Sequence, residues 1–523
     1  MKTRSADRRI EDLFELHGVR RGFSDAVMAE VAAFQRAPGI DDATLVDLTH
    51  LAFVTIDHDD SRDLDQALYI ESRGTGYVVY YALADGAYYV RPGSALFAEA
   101  LARGASFYLP EICEPMLPRG LSEDLVSLNP GVDRRALIFE MTLDAEGLRT
   151  STRLMRARIH SRAKLSYNGV QALLDQPEES PLAGRDFTAS LGLLETVGRL
   201  RMAEAKRRSV IRFHRSEIWL SRDASGFRVV GGRRNNVERY NEQISLLCNI
   251  EGAAFLGTDG PVEPHVQAIY RVHPAPEAER LRQVAARIEG IVDLHGLSPE
   301  GWSWRHGEDA EPLGDYLRRL PREGAEGRVA LAIARQVRYT FQRSDFRPEP
   351  GPHFGVGAAA YCRFSSPMRE IAGIFTHKEA LEKLAGVGAN NAEDRRLRDA
   401  VIAAANAAKQ TQSALQKAVH KLALDALFEP ELAREPGRRT RFKGTVMGLR
   451  GSRLYVEFDE PPVEVKIYVR DLAEGKERFR SQRGDAVLSS GARDFRLGDC
   501  VDVWVDGYDD KRRRWRLRAQ CTD

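Results

Sequence analysis

The sequence has no C-x-x-C pair, no long apolar run and almost no net charge, and each absence removes a class of function. Its five cysteines (Cys113, Cys248, Cys362, Cys500, Cys521) lie far apart, which argues against zinc and against a disulfide framework and fits a reducing cytoplasm. No stretch approaches the ~18 consecutive apolar residues of a membrane span, and the opening MKTRSADRRIEDLF lacks the apolar core of a signal peptide. A cytoplasmic protein without a membrane segment is expected. Lys+Arg 77 against Asp+Glu 76 leaves a formal charge of +1, so any site for a polyanion has to be local. Internal repeats and low-complexity tracts are also absent.

What is present is the composition of a folded protein, 43% hydrophobic and 29% charged, on a chain of 523 residues that is too long for one ordinary core. Residues 1–45 read as a helical lead-in of three short helices. One runs toward His17-Gly18, one opens at Ser24, and one follows Asp41-Asp42. The lead-in is either a helix-turn-helix-like cap or a simple helical arm. From Leu51 strand-like runs appear, such as YVVYYALAD (77–85) and ALIFEMTLD (136–144). Helical segments then dominate, at 193–208, 277–294 and 400–427. Residues 46–427 are expected to form one α+β body. The charged, proline-broken stretch from Phe428 reads as a linker over 428–437. The runs TVMGL, SRLYVEF, VEVKIYV, DCVDVWVDGY and WRLRA in 438–523 have the alternating pattern of a small all-β barrel.

The segment most suggestive of chemistry is TIDHDDSRDLDQALYIE (55–71), where five aspartates fall within nine residues after an apolar lead. Like charges at this density repel unless cations or solvent screen them, and clustered carboxylate oxygens are what Mg²⁺ takes as ligands. If 62–69 is extended, Asp63 and Asp65 share a face and Asp57 closes the site across the turn. The alternative is a solvated acidic turn.

These residues carry a family resemblance. TIDHDDSRDLDQA resembles the RNB signature T-I-D-x-x-D-x-x-D-x-D-D-A of RNase II-type exoribonucleases. ADGAYYVRPGSAL (84–96), RGASFYLPEICEPMLPRGLSEDLVSLNPGVDRRAL (103–137) and HFGVGAAAYCRFSSPMR (353–369) resemble further blocks in the same order. The resemblance implies an α+β RNB catalytic domain that hydrolyses single-stranded RNA from the 3′ end to nucleoside 5′-monophosphates. It assigns Asp57, Asp63 and Asp65 as metal-binding and catalytic, with Asp60 ranked below them. It implies Mg²⁺, two ions, with Mn²⁺ as a substitute. It places Arg369 of SSPMREIAGIFTHK as a catalytic phosphate clamp, Tyr167 as a base-stacking residue, and His353 among the RNA contacts. For Tyr167, an ordinary half-buried tyrosine is the competing reading.

Several positions depart from the pattern. Gln66 stands where a second aspartate is usual and is expected to be a weak metal ligand, so that Gln66→Asp would lower the Mg²⁺ requirement. Glu370, Ile371 and Gly373 replace the usual Arg, Tyr and Asp. Gln416 falls near the family's helical glutamate. Near VHPAPE (272–277), Pro274 and Pro276 stand where a second stacking aromatic is found in some members. Gln66, Glu370 and Gln416 keep a second function open, an RNA-binding relative with weakened catalysis.

Residues 438–519 resemble an S1 domain, an OB-type barrel. Its KRRRWRLR run is expected to hold RNA through Arg513, Trp515 and Arg516. A charged edge strand that blocks aggregation is the alternative. Too few residues precede the aspartate cluster for the two cold-shock barrels of many RNB enzymes, so that front clamp is expected to be missing. The protein is expected to be a monomer.

Overall fold

The computed structural model describes residues 6–522 except 212, 214–216, 224–225, 233, 258–265, 308–309, 388–391 and 474–477. Its architecture is α+β, with a mixed sheet between helical layers and a strand-rich C-terminal region.

The central sheet has seven strands in the order Val46–Asp47, Arg149–His160, Asp133–Leu143, Gly76–Ala84, Gln66–Arg73, Val54–Asp57, Ala163–Ser166. The two outer pairs are parallel and the inner ones antiparallel. Strand Gly76–Ala84 is apolar at almost every position because both faces are covered. Val79, Tyr81 and Leu83 point into the core shared with helices Thr188–Arg207 and Asn236–Gly257. Val78, Tyr80, Ala82 and Ala84 point into the core shared with Ala95–Arg103 and Ile371–Ala385. The period-2 alternation of a strand thus serves two layers at once.

At the N-terminus, helices Ala6–Leu16 and Asp25–Arg36 form as expected, and the Ser24 hydroxyl accepts from Val27 N–H at 3.4 Å to cap the second. The third expected helix does not form. Asp42 Oδ1 accepts from Thr44 N–H (3.0 Å) and Thr44 Oγ1 (2.6 Å), a local turn that competes with helix initiation. The chain then enters the sheet as strand Val46–Asp47.

The linker expected at 428–437 is also corrected. Helix Ala392–Leu432 runs for 41 residues, about 60 Å at the helical rise, through Phe428 and past Pro430. Phe428 is fully buried against Phe442, Phe458 and Trp515, with ring centroids 5.9, 6.3 and 5.5 Å away. Glu431 accepts from Thr440 N–H at 2.7 Å, tying the helix end to the barrel entry. One helix therefore enters successive cores: Val401 and Ala405 lie in the sheet's, Leu415 and Leu422 in that of the N-terminal helix, Phe428 in the barrel's.

In the C-terminal region, five antiparallel strands run in the order Glu464–Tyr468, Arg453–Phe458, Phe442–Arg450, Cys500–Asp509, Arg514–Cys521. Their inward residues share one core with Val284, Ile288, Trp302 and Ile333 of the helical body. No helix among the described residues is long and apolar enough to cross a membrane.

Candidate active site

Strand Val54–Asp57 is buried up to its last residue and delivers Asp57, half-buried, at its C-terminal end. The run that follows is not extended as expected. Asp65 N–H donates to Asp63 C=O at 3.0 Å, folding the chain tightly before strand Gln66–Arg73 begins. Leu64 is driven into the core, 2% exposed, where Ser127 Oγ accepts its N–H at 3.0 Å and Leu128 N–H donates to its C=O at 3.0 Å. The leucine plug sends its neighbours to different surroundings. Asp65 is buried, 2% exposed, while Asp63 stays half-buried and accepts from Tyr108 O–H at 2.7 Å.

Asp65 meets the segment 365–369 from far along the chain. Its Oδ1 accepts from Met368 N–H at 2.9 Å, and its Oδ2 pairs with Arg369 Nε. Burial pushes the Asp65 carboxyl up to about 6, against the pull of Arg369 and with a further push from Asp63. Burial also works against the Arg369 charge, but Asp65 and the other carboxylates hold it well above its usual range. Asp57, Asp65, Gln66, Tyr167 and Arg369 line one cavity of about 220 Å³, together with His58 and Asn241. Tyr167 opens helix Tyr167–Asp175 behind the N-cap Ser166, which sits opposite Asp57 in the parallel pair. Its hydroxyl accepts from Asn241 Nδ2 at 3.3 Å, its ring meets His58 edge-on at 5.3 Å, and burial with Asp57 nearby pushes its pKa up to about 12.

The arginine segment is held by residues with no chemical signature in the sequence. Asn249, fully buried, accepts from Phe364 N–H (2.7 Å) and Ser365 N–H (3.1 Å) and donates to Tyr361 O–H and Ser365 Oγ, both at 2.9 Å. All four of its amide positions are used. Glu370 pairs with Arg363 at 3.1 Å; despite burial, Arg363 and Arg271 hold its carboxyl below the usual range. A Cβ on Gly373 would stand 2.9 Å from Ser366 O, so helix Ile371–Ala385 presses on the Ser366-Pro367 turn at a distance the family's usual aspartate does not permit without a shift. Gln416 is exposed on the long helix and does not line the cavity.

Buried His377 supports the same segment from below, its Nε2 donating to Phe364 C=O at 2.9 Å. Burial depresses its pKa to about 4. A depressed histidine stabilises the fold above its unfolded value of about 6.5, and that contribution is lost as pH falls toward 4. Urea melts at pH 7 and 4.5 should therefore show a loss of roughly 2 kcal/mol attributable to this group, and a shallower loss in His377→Gln. An equal slope in the variant would remove His377 from the acid response.

Gln66 has a different job from the one expected. Its Nε2 donates to Ser365 C=O at 2.7 Å and its Oε1 accepts from the buried Tyr81 hydroxyl. The amide clamps the aspartate strand to the arginine segment. A carboxylate could not donate to Ser365 and would set an anion against its carbonyl oxygen. The structure therefore reverses the expectation for Gln66→Asp: the variant should melt at a lower temperature and need more Mg²⁺ for half-maximal activity. A Mg²⁺ titration beside thermal melts checks both, and a lower Mg²⁺ requirement would restore the ligand reading.

Two other expected contacts are corrected. His353 is 9% exposed, packed between Tyr361 (4.9 Å) and His273 (5.3 Å), and burial together with Arg271 depresses its pKa to about 3. It is a neutral core histidine. Trp515 is 8% exposed, packs on Phe428 and Tyr508, and donates Nε1–H to Asp425 at 2.8 Å. The strand's alternation turns Trp515, Leu517 and Ala519 inward, so the indole is core and not a stacking platform. Arg513 and Arg516 remain exposed, Arg516 with Asp506 at 3.8 Å, while Arg514 is paired to Asp471.

Among the described residues, the group of three carboxylates close enough to grip one metal ion is Glu379, Glu382 and Asp394, outside the cavity. Lys378 Nζ fills it at 2.7, 2.9 and 2.9 Å, stapling helix Ile371–Ala385 to the long helix. In the cavity Asp57 and Asp65 offer hard oxygen donors, and a Mg²⁺ ion commonly takes one or two carboxylates with the remaining positions left to water and substrate phosphate. The donor set fits such an ion.

A family model described as RNB domain matches residues 45–384. Ribonuclease R of Escherichia coli (strain K12) is 29% identical over 513 residues, 95% of this chain and 60% of that protein. Exoribonuclease 2 of Cronobacter sakazakii is 26% identical over 508 residues, 94% of this chain and 72% of that protein. The chain thus spans about 60% of the length of the ribonuclease R relative. Among solved structures, Mycoplasma genitalium RNase R in complex with ribose methylated single-stranded RNA superposes with a TM-score of 0.85 at 22% identity, covering 99% of this chain and 78% of that one. Yeast Ssd1, described as a pseudonuclease, superposes with a TM-score of 0.67 at 14% identity, covering 96% of this chain and 59% of that one.

Proposed function

This chain belongs to the RNB domain family, and from that premise we propose that it is a hydrolytic 3′-to-5′ exoribonuclease releasing nucleoside 5′-monophosphates from single-stranded RNA. The supporting observation is the single cavity in which Asp57, Asp65, Arg369 and Tyr167 come together from four separate segments. In this reading Asp57 and Asp65 hold Mg²⁺, or Mn²⁺ in its place, with Asp63 beside them for a second ion. Bound metal would activate water and offset charge on the attacking and leaving oxygens of an in-line displacement.

The chain's own residues account for the rest. The water oxygen bonds to the phosphorus of the 3′-terminal nucleotide and the bond from that phosphorus to the preceding 3′ oxygen breaks. That oxygen takes up a proton, and the phosphate stays on the released nucleotide. With Arg369 Nε engaged by Asp65, its terminal amino groups are the donors left for the phosphoryl oxygens, where a planar fork suits charge spread over several atoms. Tyr167 and His58 form an aromatic wall for the terminal base without reading its identity. A cytoplasmic monomer goes with this proposal, and all five cysteines are unpaired.

The second reading, an RNA-binding relative with weakened catalysis, draws on the departures at Glu370 and Gln416 and on the shared fold of a pseudonuclease. The buried Asp65–Arg369 pair at a cavity favours the enzyme, because a desolvated carboxylate is costly to keep where no chemistry uses it. Labelled poly(A) should release AMP with Mg²⁺ present, EDTA should stop the release, and added Mg²⁺ should restore it. Binding of poly(A) without release under any of these conditions would establish the weakened binder.

A further inference from the structure

The burial of Trp515 leaves the RNA path without the aromatic that its sequence suggested. Trp302 and Trp304 are buried as well, and Trp504 is half-buried beneath Arg441. Trp219 is different: its side chain lies on the surface, 49% exposed.

It stands on a two-stranded hairpin, Glu217–Asp223 paired with Gly226–Gly232, in which Trp219 faces Val230 and Ser221 faces Arg228. Alternation divides this hairpin cleanly. Leu220, Phe227 and Val229 face inward and pack with the long helix, while Trp219, Ser221 and Arg228 face outward. A solitary exposed tryptophan needs no explanation by itself, but this one has a built seat. A Cβ on Gly232, diagonally across the hairpin, would overlap Cη2 of the indole. The missing side chain at Gly232 therefore makes room for the indole, whose outer ring occupies the space a Cβ would take while the side chain stays half open to solvent.

The hairpin's position is also specific. A Cβ on Gly231 would stand 2.7 Å from Cδ of Pro462, in the turn between two barrel strands, so the hairpin touches the S1-like region on one side. On the other side, Asn235 Nδ2 donates to Asn168 Oδ1 at 3.3 Å and Asn236 N–H donates to Gln171 Oε1 at 3.1 Å. Asn168 and Gln171 belong to helix Tyr167–Asp175, whose first residue lines the cavity. The hairpin and the two asparagines that follow it thus link the barrel to the helix whose first residue lines the cavity.

We propose that the outer face of this hairpin is a base-stacking subsite for the 5′-ward part of a single-stranded RNA whose 3′ end lies in the cavity, with Trp219 as the platform and Arg228 as a phosphate contact. The proposal rests on the exoribonuclease reading. An exposed indole seated against a glycine can stack on any base, and a guanidinium diagonally across from it can reach the adjoining phosphate, the pairing that sequence-tolerant single-strand binding uses. Tyr167 then holds the end being removed and Trp219 holds the strand behind it.

The test measures binding in EDTA and nucleotide release in Mg²⁺ for wild type, Trp219→Ala, Trp219→Phe and Gly232→Ala, using 5′-labelled oligoadenylates of about 25 and about 5 nucleotides. Trp219→Ala should weaken binding of the long strand about tenfold or more and leave short-oligomer turnover unchanged. Trp219→Phe should keep most of the affinity. Gly232→Ala, in which the indole remains but is pushed off its seat, should resemble Trp219→Ala while melting at a similar temperature. If wild type degrades both oligomers and Trp219→Ala binds the long strand as wild type does, the subsite is refuted and the enzyme reading stands. If wild type neither binds nor degrades RNA, both fall together.

Discussion

Asp65→Asn is expected to abolish turnover while RNA binding survives. Asparagine has nearly the shape of aspartate, so the 2.9 Å acceptor for Met368 N–H can be kept. What disappears is a charge, at a position 2% exposed and directly paired to Arg369. In the proposed mechanism that charge faces the cation, and loss of one preorganised electrostatic partner at a reacting centre costs on the order of a hundredfold or more in kcat. Binding responds in the opposite sense, because removing an anion beside Arg369 makes the cavity more attractive to phosphate. Filter binding and single-turnover hydrolysis on the same preparation should therefore separate. A variant that retains more than about a tenth of wild-type turnover would take Asp65 out of the catalytic role.

Arg369→Lys should be nearly as damaging although the formal charge is kept. Arg369 is fixed at two points, by its Nε on Asp65 and by its backbone C=O, which accepts from Ser106 N–H at 2.9 Å. From that position a guanidinium can pair with a carboxylate and still present further donors in one plane, whereas an ammonium is a compact point charge on a flexible stem. Lysine can satisfy Asp65 or the phosphate, and burial favours the carboxylate. The expected result is a fall in kcat of about a hundredfold with a smaller change in KM, the pattern of an interaction made in the transition state. Near-wild-type kcat would demote Arg369 to a general electrostatic contribution.

Both experiments depend on the pairing of Asp65 with the Met368-Arg369 segment, whose first contact spans 303 positions of the chain, and this separation marks the limit of what the sequence alone conveys. The aspartate cluster and Arg369 were visible as motifs because metal and phosphate chemistry demands those side chains. That Asp65 rather than Asp63 becomes the buried partner depends on Leu64, which enters the core and turns the two carboxylates into different environments. Asn249 and Tyr108 left no trace, since an asparagine in a helix or a tyrosine in a short strand has no chemical signature until its partners are known. Gln66 looked like a weakened ligand when compared with a pattern and became a clamp once Ser365 and Tyr81 stood beside it.

The sequence by itself determined what local chemistry determines: the two-sided apolar strand Gly76–Ala84, the Ser24 cap, the alternating strands of the C-terminal region and the stock of carboxylates and arginines for the site. Tertiary structure alone decided which face of each alternating strand looks inward. Period 2 states that Trp515 and Arg516 point opposite ways, but only Phe428, arriving on a helix that runs on into the expected linker, makes the tryptophan side the core. The same holds for His353, enclosed by Tyr361 and His273, and for Trp219, left outside because Leu220 and Val229 pack on the long helix. The physical reason is that hydrophobic burial is non-directional: it requires one face of each strand to be covered, and the element that covers it can come from anywhere in the chain.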